Sequence, residues 1–164
     1  MYIRVSGIVS ESIVDGPGIR MAVFAQGCER GCPGCHNPGT HALDGGYEVS
    51  VADILSKAKK NPLLRGLTFS GGEPFLQAPV FARLAGLAKE AGLDIVTYTV
   101  YTIEEILEHE TDSPDGFRAL LSQTDILIDG PFILARRTLD APFRGSANQR
   151  IINIKNYMAA GSTI

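Results

Sequence analysis

Three cysteines, Cys28, Cys32 and Cys35, fall within eight residues, and the chain has no others. An odd, tightly spaced set argues against a disulfide framework and for metal or redox chemistry. The segment reads Gln26-Gly27-Cys28-Glu29-Arg30-Gly31-Cys32-Pro33-Gly34-Cys35-His36-Asn37. Its glycines let three thiolates converge on one centre without helical or strand geometry holding them apart. A four-iron cluster held by three cysteines keeps one iron open, as a catalytic zinc site keeps an open position. Other readings of the spacing stay open at this point. Cys32 to His36 is a C-x-x-C-H string of the haem-attachment type, Cys32 and Cys35 alone form a dithiol pattern, and the cysteines with His36 make a Cys₃His zinc set. Haem attachment belongs with export, the dithiol leaves Cys28 unexplained, and adjacent Cys35 and His36 share a tetrahedron awkwardly. The spacing favours the cluster.

The rest of the chain supplies a scaffold. At 164 residues it is long enough for one domain, expected over 1–164, with no repeat or linker to divide it. Short β-branched or apolar runs at 19–25, 66–70, 94–99, 125–129 and 150–155 read as buried strands, with 2–9 as an added one. Helical patterns lie between them. Ser50 with Asp53 starts one over 51–60, Ala78-Pro79 opens 80–91, Thr102 with Glu105 caps 103–110, and Ser113-Pro114 opens another to 122. Alternating strands and helices imply an α/β fold with a mostly parallel sheet. A full eight-fold barrel needs about 250 residues, so the expectation is an open, partial (βα) barrel of five to six units. Chemistry in such folds sits beyond the C-terminal strand ends. The segments 27–37, 71–74, 99–102 and 130–131 all fall there.

Four separated motifs carry a resemblance. Val14-Asp15-Gly16-Pro17-Gly18-Ile19-Arg20 with the cysteine loop, and Thr68-Phe69-Ser70-Gly71-Gly72-Glu73-Pro74, resemble the activases of glycyl-radical enzymes in the radical S-adenosylmethionine superfamily. Leu127-Ile128-Asp129-Gly130-Pro131-Phe132 and Phe143-Arg144-Gly145-Ser146-Ala147-Asn148-Gln149-Arg150 resemble the subgroup acting on anaerobic ribonucleotide reductase. The resemblance implies a [4Fe–4S] cluster on Cys28, Cys32 and Cys35. It also implies reductive cleavage of S-adenosylmethionine and a radical that takes a hydrogen atom from a glycine of the partner. Gly71 and Gly72 would let backbone approach the cofactor, and Glu73 would accept from its ammonium group. Further cofactor contacts are implied for His36, Thr99, Asp129 and Arg144, with a monovalent cation beside Asp129 as a further expectation. Asp15 and Arg20 would shape the partner's entrance or order the cysteine loop, and Arg150 would meet the cofactor or the partner. Asn37 would fix the loop by side-chain-to-backbone bonds, while His41 and His109 belong on the surface.

The implied partners are the large subunit of an anaerobic ribonucleotide reductase and a reduced flavodoxin or ferredoxin-type donor. The alternatives are an activase of pyruvate formate-lyase, or a non-catalytic metal or electron-transfer module. A net charge of −3 gives no field for nucleic acid. No apolar run reaches the roughly 18 residues of a membrane span, and no leader core is present, so the expected compartment is cytoplasmic. Two departures stand out. Gly34 occupies a position that is aromatic in many superfamily members, and Val100 stands where the subgroup pattern suggests glycine. If position 100 needs positive φ, a β-branched residue strains it.

Overall fold

The computed structural model describes residues 1–27, 45–131, 136, 143–144, 146 and 148–159. Their centre is one sheet of seven strands: β1 (Tyr2–Ser12), β2 (Arg20–Ala25), β3 (Tyr47–Ser50), β4 (Gly66–Gly71), β5 (Asp94–Tyr98), β6 (Ile126–Asp129) and β7 (Arg150–Asn153). The order is β3-β1-β2-β4-β5-β6-β7. Pairing is parallel across β2, β4, β5 and β6 and antiparallel at both flanks, where β3 and β1 precede β2 and β7 follows β6. The α/β class is as expected, with parallel pairing confined to the centre. Among the described residues the sheet is open, with β3 and β7 as its edges.

The helices are α1 (Val51–Lys59), α2 (Ala78–Glu90), α3 (Ile103–Leu107), α4 (Phe117–Gln123) and α5 (Ile154–Ala159). Their starts follow from side-chain chemistry. The Ser50 hydroxyl accepts from Asp53 N–H at the head of α1, and Thr102 with Glu105 forms a reciprocal capping box at α3. His109 is not idle: its Nδ1 lies 2.7 Å from Asp115, and its ring stacks on Phe117 at 4.0 Å. No helix among the described residues is long and apolar enough to cross a membrane.

Strand alternation sorts the two faces of the sheet. Val23, Leu67, Phe69, Ile95 and Leu127 join one apolar core with Ile54, Phe81, Leu84, Ile106 and Leu120 of the helices. Arg20, Ala22, Thr68 and Val96 belong to the opposite face and are also fully or nearly fully buried. The segment joining β1 to β2 crosses them there. Thr68 Oγ1 donates to Asp15 O at 2.6 Å, and a Cβ on Gly16 (φ 130°) would stand 3.2 Å from the Val96 side chain.

Candidate active site

The parallel strands run in register from Arg20 opposite Gly66 at one end to Ala25 opposite Gly71 at the other. The two ends hold different chemistry. At the N-terminal end Arg20 has none of its surface exposed. Its Nε donates to Thr68 Oγ1 at 2.8 Å, its Nη1 to Pro17 O at 3.0 Å, and its Nη2 to Leu67 O at 2.9 Å. Nη2 also pairs with the Asp94 carboxylate at 2.5 Å. Asp15 accepts from the Ser12 hydroxyl. Arg20 therefore staples β2, β4 and β5 from beneath. Arg20, expected with Asp15 at the partner's entrance or the cysteine loop, lies at the end of β2 opposite the one that leads to Cys28.

At the C-terminal end four loops are tied side by side. Gly72 N–H donates to Ala25 O at 2.8 Å, and Glu73 N–H to Gly27 O at 2.6 Å. Thr99 N–H donates to Ile128 O at 3.0 Å, and Gly130 N–H to Tyr101 O at 2.9 Å. Gly71 (φ 93°) is wedged against β2, where a Cβ would come 2.6 Å from Ala25 N and 2.8 Å from the Phe24 carbonyl carbon. Only glycine fits both that conformation and that approach. Below the loops, on the face opposite the described helices, lie half-buried Phe24 paired with Ser70 and half-buried Tyr98 paired with Ile128. Burial, and after it the charge of Asp15, pushes the Tyr98 phenol above its usual range.

The expected site residues separate under this geometry. Gly71, Gly72, Glu73 and Thr99 converge. The Glu73 carboxylate, 1% exposed, accepts from Phe75 N–H at 2.9 Å, from Val100 N–H at 2.7 Å and from the Thr99 hydroxyl at 2.9 Å. Asp129 is equally buried, and its partners are internal: Ile103 N–H at 2.9 Å and the Arg150 guanidinium at 2.5 and 3.0 Å. The carboxylate expected beside a monovalent cation is paired with Arg150. Arg150 also pairs with Glu104 at 2.6 Å. Its guanidinium is held above its usual range chiefly by Glu104 and then by Asp129, while its hydrogen bond holds the Glu104 carboxyl below the ordinary value. Val100 is not among the described positive-φ residues, where Phe143 alone is not glycine. The strain expected of valine does not arise.

Cys28, Cys32, Cys35, His36, Asn37 and His41 lie outside the described residues. Two glutamines that sequence reasoning passed over brace the loops. The Gln77 side chain pairs with both the N–H and the C=O of Arg4 at 2.9 Å and reaches Gln26 O at 3.4 Å. Gln149 Nε2 donates to Gly130 O at 3.0 Å and Asn148 Nδ2 to Pro131 O at 2.9 Å. The residues 148–150 thus grip 131–129 one by one, and Arg144 supports them by donating to Gln149 O at 3.2 Å. The only advance signal was the late motif itself.

A family model described as a 4Fe–4S single cluster domain matches residues 14–152. Over 150 residues the chain is 34% identical to the anaerobic ribonucleoside-triphosphate reductase-activating protein of Vibrio cholerae, covering 85% of this chain and 90% of that protein. The chain belongs to the 4Fe–4S single-cluster family of activating enzymes. A second relative in that family is the pyruvate formate-lyase-activating enzyme of Clostridium pasteurianum, 41% identical over 115 residues. That match covers 65% of this chain and 48% of the Clostridium enzyme, so the chain spans about half of that relative's length. The crystal structure of QueE from Escherichia coli is similar in fold, with a TM-score of 0.50 at 16% identity, covering 79% of this chain and 70% of that one. The family's description carries a single 4Fe–4S cluster.

Proposed function

We propose that this chain is a radical S-adenosylmethionine activase that generates a glycyl radical on the large subunit of an anaerobic, class III ribonucleotide reductase. The observation that carries the reading is the pair of hydrogen bonds from Gly72 and Glu73 to Ala25 and Gly27. They join the Gly-Gly-Glu turn to the residue directly before Cys28, so cluster and cofactor loops share one frame. Cys28, Cys32 and Cys35 would ligate the cluster. When bound, the reduced cluster supplies the electron that cleaves the cofactor and so delivers the radical.

The chain's own residues fit such a cofactor. Gly71 leaves no side chain between the turn and β2. Beside the Gly130 turn, Arg144 Nε and Asn148 Oδ1 are buried without a hydrogen-bond partner among the described residues, one a donor and one an acceptor. They offer complements to a carboxylate and an ammonium. Gly71, Gly72 and Arg144 are then the cofactor-facing residues, with Thr99 and Asp129 behind them, and His36 next to the last cysteine. The open sheet would curl into a partial barrel within a single domain, admitting the partner's glycine loop through its unclosed side. A reduced flavodoxin or ferredoxin in the cytoplasm would supply the electron.

The reductase is favoured over pyruvate formate-lyase because the late segments 127–132 and 143–150 resemble those of the reductase-activating subgroup. The test is to incubate the reduced, reconstituted protein with S-adenosylmethionine and either glycyl-radical enzyme, without oxygen. A glycyl-radical doublet in the EPR spectrum of the reductase alone supports the reading. A doublet only on pyruvate formate-lyase reassigns the partner, and no doublet on either rejects it.

A further inference from the structure

The resemblance gives Glu73 to the cofactor's ammonium group, but its carboxylate is turned into the protein. Oε1 accepts from Val100 N–H, Oε2 from Phe75 N–H, and the Thr99 hydroxyl lies 2.9 Å from both oxygens. The donors come from two loops, those following β4 and β5. The residue's own N–H holds a third, at Gly27. We infer that Glu73 is a positioning residue, a clamp that fixes the β4 loop, the β5 loop and the root of the cysteine loop in one register, and not the acceptor of the cofactor's ammonium. The inference rests on the activase reading and deepens it.

The choice of a carboxylate follows from the donor geometry. Two main-chain N–H groups approach opposite oxygens, so both ends of the side chain must accept. Glutamine has one oxygen, and in either orientation its NH₂ would face one of the two N–H groups. Glu73→Gln therefore opens the clamp while keeping shape, and leaves a buried donor unpaired. Thr99→Val opens it from the other side, and Thr99→Ser keeps the hydroxyl. At position 100 the N–H is what the clamp uses, so a valine side chain is tolerated there.

The experiment titrates S-adenosylmethionine against the EPR signal of the reduced cluster in the wild type, Glu73→Gln, Thr99→Val, Thr99→Ser and the double variant, each checked for intact folding by thermal melting. Amide hydrogen exchange is followed in the same proteins. The clamp predicts that either disruptive variant weakens cofactor binding about tenfold, the scale of one hydrogen bond to a charged group. Thr99→Ser should stay within about twofold of wild type, and the double variant should be no weaker than the worse single. Amide protection at Val100 and Phe75 should fall in Glu73→Gln. Three results overturn it. Unaltered affinity in Thr99→Val with loss in Glu73→Gln means that Glu73 meets the ammonium directly. Multiplying losses in the double variant mean that Thr99 touches the cofactor itself, and unchanged protection at Val100 removes the clamp. A wild-type signal indifferent to the cofactor would sink the activase reading instead, and the exchange result would still decide the clamp.

Discussion

The two ends of the parallel strands each bury an ionic side chain, and they use it in opposite ways. At the N-terminal end Arg20 directs its donors to main-chain oxygens, Thr68 and Asp94, within a region closed over by the β1–β2 segment. At the C-terminal end Glu73 gathers donors from the loops that follow β4 and β5, and its own N–H donates to Gly27, directly before Cys28. The lesson is that a buried charge does not by itself mark a site. Its place along the strands does, because the C-terminal ends are where α/β sheets leave their loops free to bind.

The largest expected effect lies at the closed end. Arg20→Met leaves Asp94 with Arg65 alone and takes the guanidinium donor from the Pro17, Leu67 and Asp94 carbonyls, and should cost about 3 kcal/mol of unfolding free energy in urea titrations. Its cofactor affinity, measured on the folded fraction, should match the wild type. A cofactor-binding defect at unchanged stability would erase the distinction between the two ends.

Gly71→Ala comes next and should affect both properties. A Cβ at 2.6 to 2.8 Å from the Phe24–Ala25 backbone, at φ 93°, should cost about 2 kcal/mol and abolish the cofactor's effect on the cluster. Calorimetry reads the first and EPR the second.

The Asp129–Arg150–Glu104 group is structural and gives a smaller effect that depends on pH. Glu104 is held below its ordinary value of 4.5, so its contribution is present above that value and is lost as pH falls through the lower, folded one. Arg150→Met removes it. The stability gap between wild type and variant should be widest near neutrality and narrow in acid. Because Glu104 is partly exposed, its pH-dependent part should amount to a few tenths of a kcal/mol. Denaturation midpoints across an acid series check this, and a gap that widens in acid would contradict it.

The smallest expected change is Val100→Gly. With no positive φ to relieve, glycine should lower stability by about 0.5–1 kcal/mol through chain entropy, and cofactor affinity should stay within about twofold. A marked gain in affinity would restore the idea that valine is strained there.

Most of the scaffold was legible in the sequence, because buried parallel strands are short β-branched runs and the helices carry caps such as Ser50 and Thr102. β3 was missed. It is four residues long, two of them exposed, and its last residue doubles as the cap of α1. The burial of Arg20 beneath the sheet was not legible, because its partners Leu67, Thr68 and Asp94 lie far along the chain. A six-residue strand spans about 20 Å at roughly 3.3 Å per residue, so its two ends serve different purposes. The glycines of the site were legible because backbone demands show in residue type. The partners of Glu73, Asp129, Gln77 and Gln149 were not, because each reaches across 20 or more positions, or between loops that only the sheet order brings together.

The most direct test of the account is the EPR spectrum of the anaerobically reconstituted, reduced protein recorded with and without S-adenosylmethionine. An S = ½ [4Fe–4S]⁺ signal that changes shape on adding the cofactor is the predicted result, since Gly27, directly before Cys28, is hydrogen-bonded to the Gly-Gly-Glu turn. A signal identical in both spectra, or a protein that assembles no cluster, would contradict it.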